Sequence, residues 1–155
     1  MRTLTALWKL LRGLWHVLVG MWTIYVRFPQ LSLEQREMHV QVWALQFLAL
    51  WNIHLQVRGQ PVRNGPALIV ANHISWLDIS VIHAARHCRF VSKSDIQDWP
   101  LLGTLATGAG TLYIERTSRK DALRMVKEMA DAMTNGDVVA VFPEGTTSDG
   151  RDLLP

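Results

Sequence analysis

The chain has 155 residues, 49% hydrophobic and 19% charged, with a mean hydropathy of +0.10; that is one domain's length with a sizeable core, and it excludes a disordered chain. A single cysteine, Cys88, excludes a disulfide framework and a cysteine-based zinc cage. Residues 1–63 hold seven bases and two acids, net +5, and the rest nine bases and eleven acids, net −2, for +3 in all; the basic part is also the tryptophan-rich part, which points to an anionic membrane surface and away from nucleic acid.

Residues 4–28 read as one helix that stops before Pro29. Its uncharged run, residues 13–26, is shorter than the roughly 20 residues a span needs. Trp8, Trp15 and Trp22 share one face, with Lys9, Arg12 and His16 on an adjacent strip. That pattern suits a helix lying in the membrane interface. A span that takes in Lys9 and Arg12, a buried core helix and a signal peptide are the alternatives; no small-residue cleavage site supports the last. Ser32, with Gln35 three residues on, is a capping box opening a second helix that runs to about Trp51. It pairs with the first as a hairpin on the bilayer or covers the following sheet.

From Ile53 onward short strands alternate with helices. Strands are expected at 53–58, 67–71, 89–92, 111–114 and 138–142, and helices at 76–86, 100–107 and from Ser118 to Asn135. Ala122, Met125, Val126, Met129 and Met133 form one face of the last helix, read as core. The expected fold is α/β: a mixed sheet flanked by helices, residues 53–155, preceded by an N-terminal apolar helical membrane-associated segment, residues 1–52.

Three polar clusters each follow an apolar strand, where ligands gather in α/β sheets. The first holds Asn72, His73 and Asp78. A histidine takes a proton near neutral pH, and an aspartate five residues on can hold its tautomer. A helix cap beside a surface histidine gives the same spelling. The second cluster, ending in Glu115 and Arg116, offers a guanidinium fork for phosphate or a surface ion pair. The third, residues 142–148, sets Glu144, Gly145, Thr146, Thr147 and Ser148 in a Pro/Gly turn that suits an anion pocket or an ordinary polar loop.

Taken in order, the three clusters strongly resemble the glycerophospholipid acyltransferase superfamily, specifically its bacterial 1-acyl-sn-glycerol-3-phosphate acyltransferases. The family's Asn-His-x-x-x-x-Asp block is matched by Asn72, His73 and Asp78. Its Gly-x-x-Phe-Ile-x-Arg block is matched by Gly110, Ile114 and Arg116, with Tyr113 in place of Phe. Its Phe-Pro-Glu-Gly-Thr block is matched from Phe142 to Thr146 and extended by Ser148, with Thr147 where Arg is frequent. The resemblance implies acyl transfer from acyl-CoA or acyl carrier protein to the free hydroxyl of lysophosphatidic acid, giving phosphatidic acid. It implies His73 and Asp78 as the catalytic pair, with Arg116, Glu144, Gly145 and Thr146 holding the substrate. It implies no metal and no further cofactor, membrane lipids as partners, and a bacterial inner membrane with the site on the cytoplasmic side. Family members continue past the third block, so the C-terminal part of the domain is expected to be absent here. Acylation of another lyso-lipid, such as a lyso-ornithine lipid, a noncatalytic membrane-bound remnant, and thioester hydrolysis by the same pair are the competing readings.

Overall fold

The computed structural model describes residues 2–62, 65–115 and 118–151. Helix α1 spans Arg2–Trp22 and continues as a π-helical turn, Thr23–Arg27, and a 3₁₀ turn, Phe28–Gln30. Thr23 Oγ donates to the Val19 carbonyl at 2.8 Å where the helix widens, and Pro29, which has no N–H, ends the ladder. Helix α2, Leu33–Leu50, opens on the expected capping box: Ser32 Oγ accepts from the Gln35 amide, and Gln35 Oε1 accepts from the Ser32 amide at 2.9 Å. The two helices pack as a hairpin at glycines. A Cβ on Gly20 would stand 2.6 Å from Trp43 Nε1, so only glycine permits this approach.

Two expectations for this region change. His16 is not on the outer basic strip. It faces α2, stacks on Trp43 at 4.7 Å and exchanges hydrogen bonds with it: His16 Nε2 meets the Trp43 carbonyl at 3.0 Å, and Trp43 Nε1 donates to the His16 carbonyl at 3.1 Å. Trp8, Trp15 and Trp22 do lie outward, 62%, 69% and 53% exposed. Among the described residues no helix is long and apolar enough to cross a membrane. Helix α2 is half of a hairpin and also a covering layer, but what it covers is a helix: Ala44 and Leu48 bury against Ala84 of α3, Leu77–Ala85.

Four strands follow: β1, Ala67–Val70; β2, Arg89–Lys93; β3, Leu112–Ile114; and β4, Val138–Val141. Helix α4, Leu102–Gly108, lies between β2 and β3, and α5, Arg119–Thr134, between β3 and β4. The sheet order is β1-β4-β2-β3 and every pairing is parallel, so the sheet is not mixed. Each successive strand is reached through a helical crossover, which brings the chain back to the same end of the sheet. The expected strand at 53–58 does not form. Ile53 and Leu55 instead pack against the α2–α3 contact; their alternation with His54 and Gln56 records burial without a ladder.

One face of the sheet, with Phe90, Val138 and Ala140, packs against Ile82 of α3. The other, with Leu112 and Val139, packs against Ala132, Met129 and Met133 of α5. Only the C-terminal half of the expected methionine face is core. Ala122 is exposed, and Val126 is 58% exposed. The layers therefore run α2, α3, sheet, α5, with α1 outermost. Two such covered faces are what an all-parallel sheet requires.

Candidate active site

All strands point the same way, so the loops after β1 and β4 emerge at one edge, and β1 and β4 are neighbours. The first and third clusters therefore meet. The Ala71 amide donates to the Val141 carbonyl at 3.2 Å and extends the ladder one residue past β1. The Ser148 amide then donates to the His73 carbonyl at 2.8 Å, tying one loop to the other.

His73 Nδ1 lies 3.0 Å from Asp78 Oδ2. The same oxygen accepts from the Ile74 and Ser75 amides at 2.7 and 2.9 Å. Asp78 stands in the first turn of α3, and Ser75 Oγ accepts from the Leu77 amide. Trp76 stands at the start of α3 with no side-chain cap, and the carboxylate that gathers the two loop amides before the helix also holds the imidazole. Burial, the strongest influence, pushes the Asp78 carboxyl up, but the Ser75 and Ile74 amides and the His73 ring outweigh it and hold it below its ordinary value. An ionised Asp78 assigns the proton to Nδ1 and leaves the Nε2 lone pair to accept another. Among the described residues Nε2 has no hydrogen-bond partner.

The imidazole lies flat on Phe142, centroids 4.1 Å apart and planes 14° apart, and Phe142 in turn stacks on Phe90 at 5.4 Å. Sequence reasoning placed Phe142 in a motif but gave it no contact with His73. Pro143 follows it in a turn closed by the Gly145 amide on the Phe142 carbonyl at 3.0 Å, and Gly145 sits at φ +66°, where a side chain would be strained. The turn buries both carboxyl oxygens of Glu144, which accept no hydrogen bond among the described residues. Thr146 is exposed beside it. Arg116 lies outside the described residues; β3, which precedes it, is three strand positions from β1. Around His73 the surface is apolar: Ile74 and Trp76 are 52% and 65% exposed, and Trp76 meets Phe47 of α2 edge-on at 6.0 Å.

A lyso-ornithine lipid O-acyltransferase from Rhizobium meliloti (strain 1021) is 36% identical over 124 residues, covering 80% of this chain and 42% of that protein. A 1-acyl-sn-glycerol-3-phosphate acyltransferase from Neisseria gonorrhoeae is 40% identical over 110 residues, 70% of this chain and 43% of that protein. The chain therefore spans about two fifths of the length of these curated relatives. The fold is shared with the crystal structure of the 1-acyl-sn-glycerophosphate (LPA) acyltransferase from Thermotoga maritima, at TM-score 0.66 and 21% identity over 94% of this chain and 66% of that one. The family model for acyltransferases matches residues 54–155, so the chain belongs to the acyltransferase family.

Proposed function

We propose that this chain carries the reacting part of an O-acyltransferase that moves a fatty acyl group from acyl-CoA or acyl carrier protein to the free hydroxyl of 1-acyl-glycerol-3-phosphate. The observation that carries this reading is the His73–Asp78 pair at 3.0 Å, held flat on Phe142. His73 Nε2 takes the acceptor hydroxyl's proton as the oxygen attacks the thioester carbonyl. The tetrahedral intermediate collapses, the C–S bond breaks, and the thiolate leaves with the proton from His73. The ester forms in one passage with no acyl-enzyme. Ionised Asp78 stabilises the transient imidazolium. Glu144 faces the acceptor's polar part, with Gly145 and Thr146 shaping the turn and Arg116 supplying a fork for phosphate. The Trp8, Trp15 and Trp22 face of α1 lies in the bilayer interface, in the inner membrane of a bacterium with the site on the cytoplasmic side, so that lipid substrate and product need not cross water.

Acylation of a lyso-ornithine lipid is the second reading. Two observations favour it: the Rhizobium relative aligns over 80% of this chain, and Thr147 stands where Arg is frequent in the family, which removes a cation that a phosphate would use. The test is transfer of labelled acyl chains from acyl-CoA to each lyso-lipid, by this chain and by a version extended to the relatives' length. Phosphatidic acid as the main product supports the first reading. Acylation of only the ornithine lipid supports the second. Free fatty acid alone would point to thioester hydrolysis, and no product from either form would refute acyl transfer.

A further inference from the structure

A cavity of about 490 Å³ opens at the other edge of the sheet, between the α1–α2 bend and the starts of β2 and β4. The length of a four- or five-residue strand, about 13–16 Å, separates it from the His73 edge. It does not belong to the catalytic pair, and its size suits a small molecule or a lipid head.

Its two sides differ in chemistry. The bend contributes Ile24 and Phe28 and α2 contributes Val40, with Leu33, 64% exposed, at the rim. The sheet side and α2 contribute Arg36 and Arg89. Each guanidinium is fixed at Nε by a main-chain carbonyl: Arg36 on Leu31 at 3.1 Å, Arg89 on Gly110 at 2.7 Å. Each outer edge keeps N–H donors for another partner. Arg89 is neutralised by Asp137 at 2.8 Å. Glu37 faces Arg86 and His87 at 3.8 Å. Glu37 and Asp137 balance the two arginines in formal charge, but Arg36 has no ion-pair partner among the described residues, so it is the one guanidinium of this lining that no carboxylate touches, and it stands against an apolar wall.

We infer that this cavity is a second lipid site, which takes the phosphate of an anionic glycerophospholipid on Arg36 and Arg89 and its glycerol and first methylenes against Ile24, Phe28 and Leu33. The planar fork matches phosphate oxygens, and the apolar wall selects a phosphate that carries a lipid. The rim belongs to the bend between the two helices whose outer surface is apolar, with Tyr25 and Val26 exposed beside it. The inference stands apart from acyl transfer, because it uses neither His73 nor Asp78.

The test is calorimetric binding of dihexanoyl phosphatidylglycerol, below its micelle concentration, to the full 155-residue chain. Wild type is expected to bind it and to bind inorganic phosphate and dihexanoylglycerol far more weakly. Arg36→Gln should weaken the phospholipid about tenfold or more, Arg36→Lys should restore part of it, and His73→Ala should leave it unchanged. Leu33→Asn, at the exposed rim, reads the same cavity without touching a charge and should weaken the lipid but not phosphate. Binding unchanged in both Arg36→Gln and Leu33→Asn overturns the proposal. So does loss of binding in His73→Ala, which would put the lipid in the catalytic site, and so does inorganic phosphate binding as tightly as the lipid.

Discussion

Acidification should unfold this protein through His83. The residue is 7% exposed, between Ala84 of the α2–α3 contact and Phe90 of the sheet, which its ring meets edge-on at 5.0 Å. Its Nδ1 is buried without a partner, and the His87 ring stacks on it at 5.5 Å. Burial first, and the charge of His87 second, push its pKa down from 6.5 to about 3. The unfolded chain thus takes up this proton near pH 6.5, and the folded chain takes it up only near pH 3. Stability is complete above pH 6.5 and falls by about 1.4 kcal/mol per pH unit as pH drops between those values. Between pH 6.5 and 5 the loss from His83 alone is about 2 kcal/mol. His87 and His16, both lowered chiefly by burial, add to it in the same direction. The assay is the urea midpoint at pH 7.5 and pH 5.0 for wild type and His83→Gln, with the His83 imidazole followed by NMR. The variant should lose close to one proton's worth of pH dependence even if it starts less stable. An unchanged slope, or an imidazole that titrates near 6.5 in the folded protein, would refute the reasoning.

At the site, His73→Ala should cut acyl transfer in the extended enzyme by about 10²–10⁴-fold with the circular dichroism unchanged. Asp78→Asn should be nearly as severe and should also lower the melting temperature, since its carboxylate holds two loop amides. Phe142→Leu keeps apolar volume but removes the ring under His73; with aromatic pairs worth about 0.5–1.5 kcal/mol, kcat should fall up to about tenfold with KM little changed. Gly20→Val should destabilise the helix hairpin by about 1–3 kcal/mol in thermal melts, because Trp43 Nε1 is already committed to the His16 carbonyl and does not give way easily.

What was legible in the sequence was what the chain settles locally. The Ser32–Gln35 box and the His73–Asp78 pair each join residues within one turn and a loop, so spacing alone brings them together. The stack of Phe142 under His73 was not legible, because it depends on β1 and β4 being neighbours, and strand order is not written in any local period. The same limit explains His16: a helical wheel tells which residues share a strip, not which strip finds a partner, and the glycines at 13 and 20 that admit α2 decide it. Alternation at 53–58 was true as burial and misleading as pairing, since a period of two reports sides and not hydrogen bonds. The face of α5 was overread for a related reason. Only Met129, Ala132 and Met133 reach the sheet, and Val126 keeps the apolar pattern while 58% exposed.

Helix α3 joins these layers physically. Its first turn carries Asp78, which holds His73; Ala84 buries against α2; and Ile82 packs against the sheet. Gln41 of α2 adds hydrogen bonds from its side chain to the Ala84 and Ala85 carbonyls, both at 3.2 Å, which satisfies carbonyls at the end of α3 beyond the Ile82 carbonyl that the Arg86 amide reaches. Trp76, one residue before α3, meets Phe47 of α2. Helix α2 therefore grips α3 at both ends, while its other side holds α1 through the His16–Trp43 pair. The placement of the His73–Asp78 pair relative to the α1–α2 hairpin is thus set by packed side chains and not by a loop alone. Substitutions at the α2–α3 contact, such as Ala44 or Leu48, should accordingly loosen the hold of Asp78 on His73 although neither residue touches the imidazole.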